Sequence, residues 1–263
     1  MKQRWITFDL DGTLMQNPFS KWVFPEIAAA VSDLLGKTHD TVTALTAEHE
    51  QRMRLGRYVE AYDWDEMLAR LCQELGIVKP VDVEELVHKH NVTPKVYLLE
   101  ENIPQVLQTI KAYGYSLAAV TNGFYKYQAP VMQTLGLADC FDQVITPEKA
   151  GTGKPDPAIL HLLPGEVVAH VGDRLDHDVQ LANRAGIHSV LIEASLSERV
   201  RALHPCVRLG DREVLQLCLR KWRKEHRIGQ DIAEMDLPKE VKPAFVISSI
   251  QELVMLIEEW KGG

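Results

Sequence analysis

Apolar residues along this chain follow two rhythms, and the change from one to the other outlines the fold. Trp5-Ile6-Thr7-Phe8 is a short uninterrupted apolar run, which predicts a buried strand. After Leu14 such runs stop for a long interval. Trp22, Val23, Ile27, Ala30, Val31, Leu34 and Leu35 recur at helical spacing, and Gly36 follows them. Trp64, Met67, Leu68, Leu71 and Leu75 repeat the pattern, with Gly76 placed to end it. Residues 19–97 are therefore expected to form a mainly helical unit.

From Glu101 the rhythm changes again. Ile103, Val106, Leu107 and Ile110 mark an amphipathic helix, and Ser116 to Val120 is a strand that ends at Thr121-Asn122-Gly123. A helix is expected to about residue 135, then a strand over 143–146, a helical turn over 158–163 and a strand over 167–171 ending at Gly172-Asp173. A helix over 178–185, a strand over 188–192 and a closing strand and helix over 244–247 and 250–260 complete the series. Strands alternating with helices predict a parallel sheet with right-handed crossovers. The expected fold class is α/β: a Rossmann-like, doubly wound core from 1–18 and 98–263, with the helical domain 19–97 inserted. A partly helical stretch, about 195–242, is extra. One helix there runs through Val214, Leu217, Cys218 and Trp222, and Arg220, Lys221, Arg223, Lys224 and Arg227 crowd its far end, where cations favour a helix terminus and predict a solvated face.

Composition narrows the function classes. A formal net charge of -8 argues against a general nucleic-acid binder, which needs a basic field, but leaves room for anionic small molecules at a locally cationic site. Cys72, Cys140, Cys206 and Cys218 show no metal-type spacing and read as reduced thiols. No signal-like segment or membrane-length apolar run is evident, so the expectation is a soluble cytoplasmic protein, monomer or homodimer.

The candidate chemistry sits where strands end. Asp9 and Asp11 follow the first strand and run into Gly12-Thr13-Leu14. Carboxylates crowded this way repel unless a cation joins them, and hard oxygen ligands suit magnesium. One can attack an electrophile while the other moves protons. Thr121 and Asn122 end a second strand, Lys154 lies in Gly151-Thr-Gly-Lys-Pro155 after a third, and Asp173 follows a fourth with Asp178 close behind. In open parallel sheets ligands bind outside these C-terminal ends, so the groups converge on one edge.

Phe8-Asp9-Leu10-Asp11-Gly12-Thr13-Leu14, Thr121-Asn122-Gly123, Lys154-Pro155 and Gly172-Asp173 through Asp178 resemble, in order, the four signature motifs of the haloacid-dehalogenase superfamily. The resemblance implies that Asp9 is a nucleophile forming an aspartyl-phosphate and that Asp11 is the acid/base. It implies that Thr121 and the Asn122 amide bind phosphate oxygens and that Lys154 balances charge. Mg2+ would be held by Asp9, the backbone carbonyl of Asp11 and Asp173, with Asp178 as an outer-shell or second acidic contact. The helical insertion is similar to the family's cap. Dehalogenating members lack an aspartate two residues beyond the nucleophile, so Asp11 favours phosphate-ester hydrolysis. The expected activity is a magnesium-dependent phosphatase for a small phosphomonoester of the sugar phosphate or nucleotide class. A phosphomutase and a non-catalytic binding protein on the same fold are the alternatives. His170 reads as a packed core histidine and His177 as exposed near the mouth. Phe19, Lys21, Trp22, Arg52, Arg54, Tyr58 and Trp64 are candidates to face the site from the insertion, an arginine being suited to a second anionic group.

Overall fold

The computed structural model describes residues 2–226 and 236–262. Strand β1 (Arg4–Phe8) leads to a two-residue strand β2 (Met15–Gln16), and helices α1 (Phe24–Leu35), α2 (Thr41–Arg54), α3 (Trp64–Glu74) and α4 (Val83–His90) follow before β3 (Tyr97–Leu98). The rest of the chain is α5 (Ile103–Ala112), β4 (Ser116–Val120), α6 (Tyr125–Thr134), β5 (Gln143–Ile145), α7 (Pro147–Ala150), β6 (Glu166–Gly172), α8 (Gln180–Ala185), β7 (His188–Ile192), α9 (Glu198–Arg201), α10 (Arg212–His226), β8 (Phe245–Ile247) and α11 (Glu252–Gly262).

Six strands form one sheet in the order β5-β4-β1-β6-β7-β8, and every pairing in it is parallel. A sheet covered on both faces must be apolar on both, and alternate residues of the central strands enter different cores. Ile6, Phe8, Leu117 and Ala119 pack with Ile103, Val106, Leu107 and Ile110 of α5 and with Leu253, Leu256 and Ile257 of α11. Trp5, Ala118 and Val120 face the other way, against Ile159, Leu160 and Leu181. Full burial of such side chains contributes about 1.5–3 kcal/mol each, so the two packed faces fix the strand order and tilt.

The insertion leaves and re-enters through a small antiparallel ladder, Met15 opposite Leu98 and Gln16 opposite Tyr97. Periodicity alone did not reveal this ladder, because two-residue strands carry no measurable pattern. The expected helices are present with local refinements. A π-helical turn, Phe19–Val23, precedes α1, the 158–163 turn is a 3-10 helix at Pro157–Leu162, and another π turn, Leu175–Val179, leads into α8. In the extra stretch, Leu196, Val200, Val214, Cys218 and Trp222 form a second apolar cluster with Leu175, Val179, Leu191 and Val246. Residues 227–235 of that stretch, Arg227 among them, lie outside the described residues. No described helix is long and apolar enough to cross a membrane.

Candidate active site

Register sets the site's height. Phe8 pairs with Ala119 on one side and Val171 on the other, so the residues just past these three strands emerge at one level. The Asp9 amide still donates to Val171 O at 2.8 Å and the Thr121 amide to Ile145 O at 3.1 Å, extending the ladder to the point where chemistry begins. Beyond Asp9 the chain turns on Gly12, whose φ of +83° suits glycine, and any Cβ there would lie 3.0 Å from the Asp173 carboxyl carbon.

Lys154 is the electrostatic centre. Its ammonium is 2% exposed and donates to Asp9 Oδ1 at 2.5 Å and to Asp178 Oδ1 at 2.6 Å. The two carboxylates raise its pKa against the cost of burial. Asn122 fixes the loop that carries it: Asn122 Oδ1 accepts from the Lys154 amide at 2.7 Å and its Nδ2 donates to the Lys154 carbonyl at 3.0 Å. Thr121 Oγ1 accepts from the Gly123 amide at 3.1 Å, which leaves its own proton to give. Asp9 is held at its second oxygen by Thr13 Oγ1, 3.2 Å away.

Asp178 is fully engaged by protein. Besides Lys154 it accepts from His170 Nε2 at 3.0 Å and from the Arg174 amide at 3.0 Å, and against the cost of burial these donors hold its carboxyl far below the usual range. His170, expected as a core residue, is buried and also ties this pair to strand β1 through Thr7 Oγ1 at 2.8 Å. Burial lowers the pKa of the ring against the pull of Asp178. His177 is not exposed as its position beside Asp178 had suggested. Its side chain is 12% accessible, and desolvation together with Arg174 lowers its pKa to about 3.

One oxygen from each of Asp9, Asp173 and Asp178 lies within 4.8 Å of the others. Burial pushes Asp9 up to about 8, against Lys154 and with help from the nearby carboxylates, and pushes Asp173 up to about 6. Asp173 Oδ1 is buried without a partner. An all-carboxylate set with an unserved oxygen and like charges in excess fits a hard divalent cation such as Mg2+. Asp9 and Asp173 retain capacity to ligate it, whereas Asp178 spends its oxygens on Lys154, His170 and Arg174. Asp11 is set apart: its Oδ2 accepts from Gln128 Nε2 at 2.5 Å, its Oδ1 is bare, and burial raises its pKa.

Of the candidates in the insertion, Phe19 and Trp64 pack in the core. Arg52 is turned away to Glu48 and Glu66 and makes no contact with the site, and Arg54, Lys21 and Trp22 are exposed. Tyr58 approaches the lysine loop, its Cβ being 3.0 Å from where a Cβ on Gly153 would lie. Four neighbours of the site were not among the expected site residues: Gln128, Tyr62, Glu225 and Lys221, the last expected on a solvated face. The Tyr62 hydroxyl lies 3.4 Å from Asn122 Nδ2, and Lys221 Nζ lies 3.9 Å from Asp173 Oδ2. Only the helical register of α6 could have suggested that Gln128 points back toward the strand tips.

A profile of the haloacid dehalogenase-like hydrolases matches residues 3–186. The chain is 31% identical over 140 residues to the Bos taurus haloacid dehalogenase-like hydrolase domain-containing protein 3, covering 49% of this chain and about half (55%) of that protein. It is 32% identical over 240 residues to the Thermus thermophilus phosphoserine phosphatase, across 80% of this chain and 96% of the relative. Its structure is similar to that of a HAD phosphatase from Thermococcus onnurineus, with a TM-score of 0.62, 25% identity and 98% of each chain covered.

Proposed function

The chain belongs to the haloacid dehalogenase-like hydrolase family, and from that premise we propose that it is a magnesium-dependent phosphatase acting on a small phosphomonoester through an aspartyl-phosphate on Asp9. The observation that carries this reading is the buried triad of Asp9, Lys154 and Asp178, with Asp173 within reach of one ion. Asp9 attacks phosphorus, and Lys154 offsets the charge that gathers between nucleophile and phosphoryl oxygens. The Thr121 hydroxyl and the Asn122 amide donate to those oxygens, where phosphoryl transfer needs stabilisation most. Asp11 gives a proton to the departing alkoxide and then takes one from the water that hydrolyses the intermediate. Asp9 and Asp173 would hold Mg2+, which would supply the remaining charge neutralisation. Asp178 acts through Lys154, holding it in place. Residues 19–97 serve as a cap that limits water and selects the substrate.

The presence of Asp11 supports ester hydrolysis over carbon–halogen cleavage, since an alkoxide needs a proton and a halide does not. Phosphate release from a panel of phosphomonoesters, with and without Mg2+, tests the reading. Metal-dependent release by the intact protein and its abolition in Asp9→Asn are the expected results. Turnover at the normal rate in Asp9→Asn overturns it.

A further inference from the structure

Gln128 belongs to none of the sequence motifs, yet its side chain meets Asp11 directly. It is 3% exposed, sits near the start of α6, and reaches across 117 positions to place Nε2 2.5 Å from Asp11 Oδ2. The same Nε2 lies 3.4 Å from Thr121 Oγ1. The Asn17 side chain is a second polar neighbour of Asp11. Room for Gln128 is made by Gly123, where an added Cβ would sit 2.2 Å from Nε2. Gly123 does not have a positive φ among the described glycines, so space rather than backbone conformation demands glycine here. Two acceptors remain buried and unserved beside this contact, Asp11 Oδ1 and Gln128 Oε1. Buried acceptors are rarely left so, and an incoming O–H satisfies them.

We infer that Gln128 is the positioning residue for leaving-group protonation: by occupying Asp11 Oδ2 it presents Oδ1 to the ester oxygen, and its contact with Thr121 ties that orientation to the phosphate site. The inference rests on the phosphatase reading above. In the step concerned the P–O bond to the leaving group breaks, its electron pair goes to the leaving oxygen, and the proton on Asp11 Oδ1 passes to that oxygen as Asp9 bonds to phosphorus. A bidentate or free-swinging carboxyl would lose part of this alignment, on which general acid catalysis depends.

The test compares kcat/KM for phenyl phosphate and 4-nitrophenyl phosphate, esters of nearly the same shape. Phenoxide needs a proton to leave far more than nitrophenoxide does, and kcat/KM reports the step that expels it. Gln128→Met, which keeps the side-chain length and removes the donor, is expected to reduce kcat/KM for phenyl phosphate at least about ten-fold more than for the nitrophenyl ester, a modest share of the usual worth of a general acid. Gly123→Ala, which drives the amide aside without replacing it, is expected to give the same selective loss. A fall of equal size for both esters in both variants, as from a purely structural role, overturns the inference, and so does no fall for either. Failure of the intact protein to release phosphate from either ester, or full activity in Asp9→Asn, instead defeats the reading beneath it.

Discussion

Arg52 shows how a residue can carry the right chemistry and face the wrong way. An arginine in the insertion is well suited to a second anionic group on a substrate, yet the guanidinium of Arg52 is 2% exposed and committed to Glu48 at 2.7 Å, Glu66 at 2.5 Å and the Glu60 carbonyl at 2.8 Å. It binds α2, α3 and the turn between them into one body. Arg52→Met is therefore expected to lower stability by about 1–3 kcal/mol, the usual cost of breaking buried hydrogen bonds, while kcat/KM stays within about threefold of the native value. Denaturant midpoints and kinetics measured side by side check it. A selective loss of affinity for an anionic substrate, at unchanged stability, would return Arg52 to the site. Residue types were legible where the chain itself brings groups together, as with Asp9 and Asp11, one residue apart at a strand tip. They were not legible where the partner is set by tertiary packing. Nothing local to Gln128 distinguishes it from a solvated glutamine on a helix, and its meaning appears only when α6 is laid against the end of β1.

At the level of elements, the alternation of buried runs and helical stripes was enough to order the core, because each parallel strand is apolar on both faces and each crossover helix on one. What α10 is for could not be read that way. Its cationic end predicts a solvated face, and Arg220 and Lys224 are indeed exposed, but Lys221 turns inward to Asp173 and to Glu193 at 3.7 Å. One turn on, Glu225 accepts from the Leu175 and Asp176 amides, both at 3.2 Å, at the start of the π turn that carries Asp178. Trp222 and Cys218 pack beneath it with Leu175 and Val179. The extra stretch thus braces the loop between Asp173 and Asp178. Glu225→Ala leaves two turn amides without their acceptor and frees the loop that presents Asp173. On the proposed role of Asp173 as a Mg2+ ligand, for which partners one shell out commonly matter about 10–100-fold, the Mg2+ concentration giving half-maximal thermal stabilisation is expected to rise about ten-fold. A melting-temperature titration reads this without reference to turnover, and an unmoved midpoint would make α10 a covering for the sheet alone.

Across the whole molecule, the insertion has two kinds of attachment to the core. One is the two-residue β2–β3 ladder, and the other is side-chain contact, with a cluster of it on α6. Asp65, in the first turn of α3, is its centre. One carboxylate oxygen takes Lys79 at 2.5 Å and the Val83 amide at 2.9 Å within the insertion, and the other takes Lys126 at 2.7 Å and the Tyr127 hydroxyl at 3.1 Å on α6. The Phe19 ring packs edge-on against Tyr127, and Asn91 donates to the Pro130 carbonyl at 2.8 Å on the same helix. Against the cost of burial, these donors hold the Asp65 carboxyl down to about 2. A carboxyl lowered by folding stabilises the folded state above its unfolded value near 3.8 and loses that contribution as pH falls through about 2. Asp65→Asn is expected to unfold about 1–3 kcal/mol more easily at pH 7, and the gap between variant and native protein should close as pH drops from 4 toward 2. Urea midpoints at a series of pH values check the sign: a gap that widens on acidification would mean that Asp65 is not the group whose charge joins the two parts. Because α6 also carries Gln128, the helix that holds the insertion through Asp65 is the one that meets the Asp11 carboxyl, so a loosened grip at Asp65 has a direct path to Asp11.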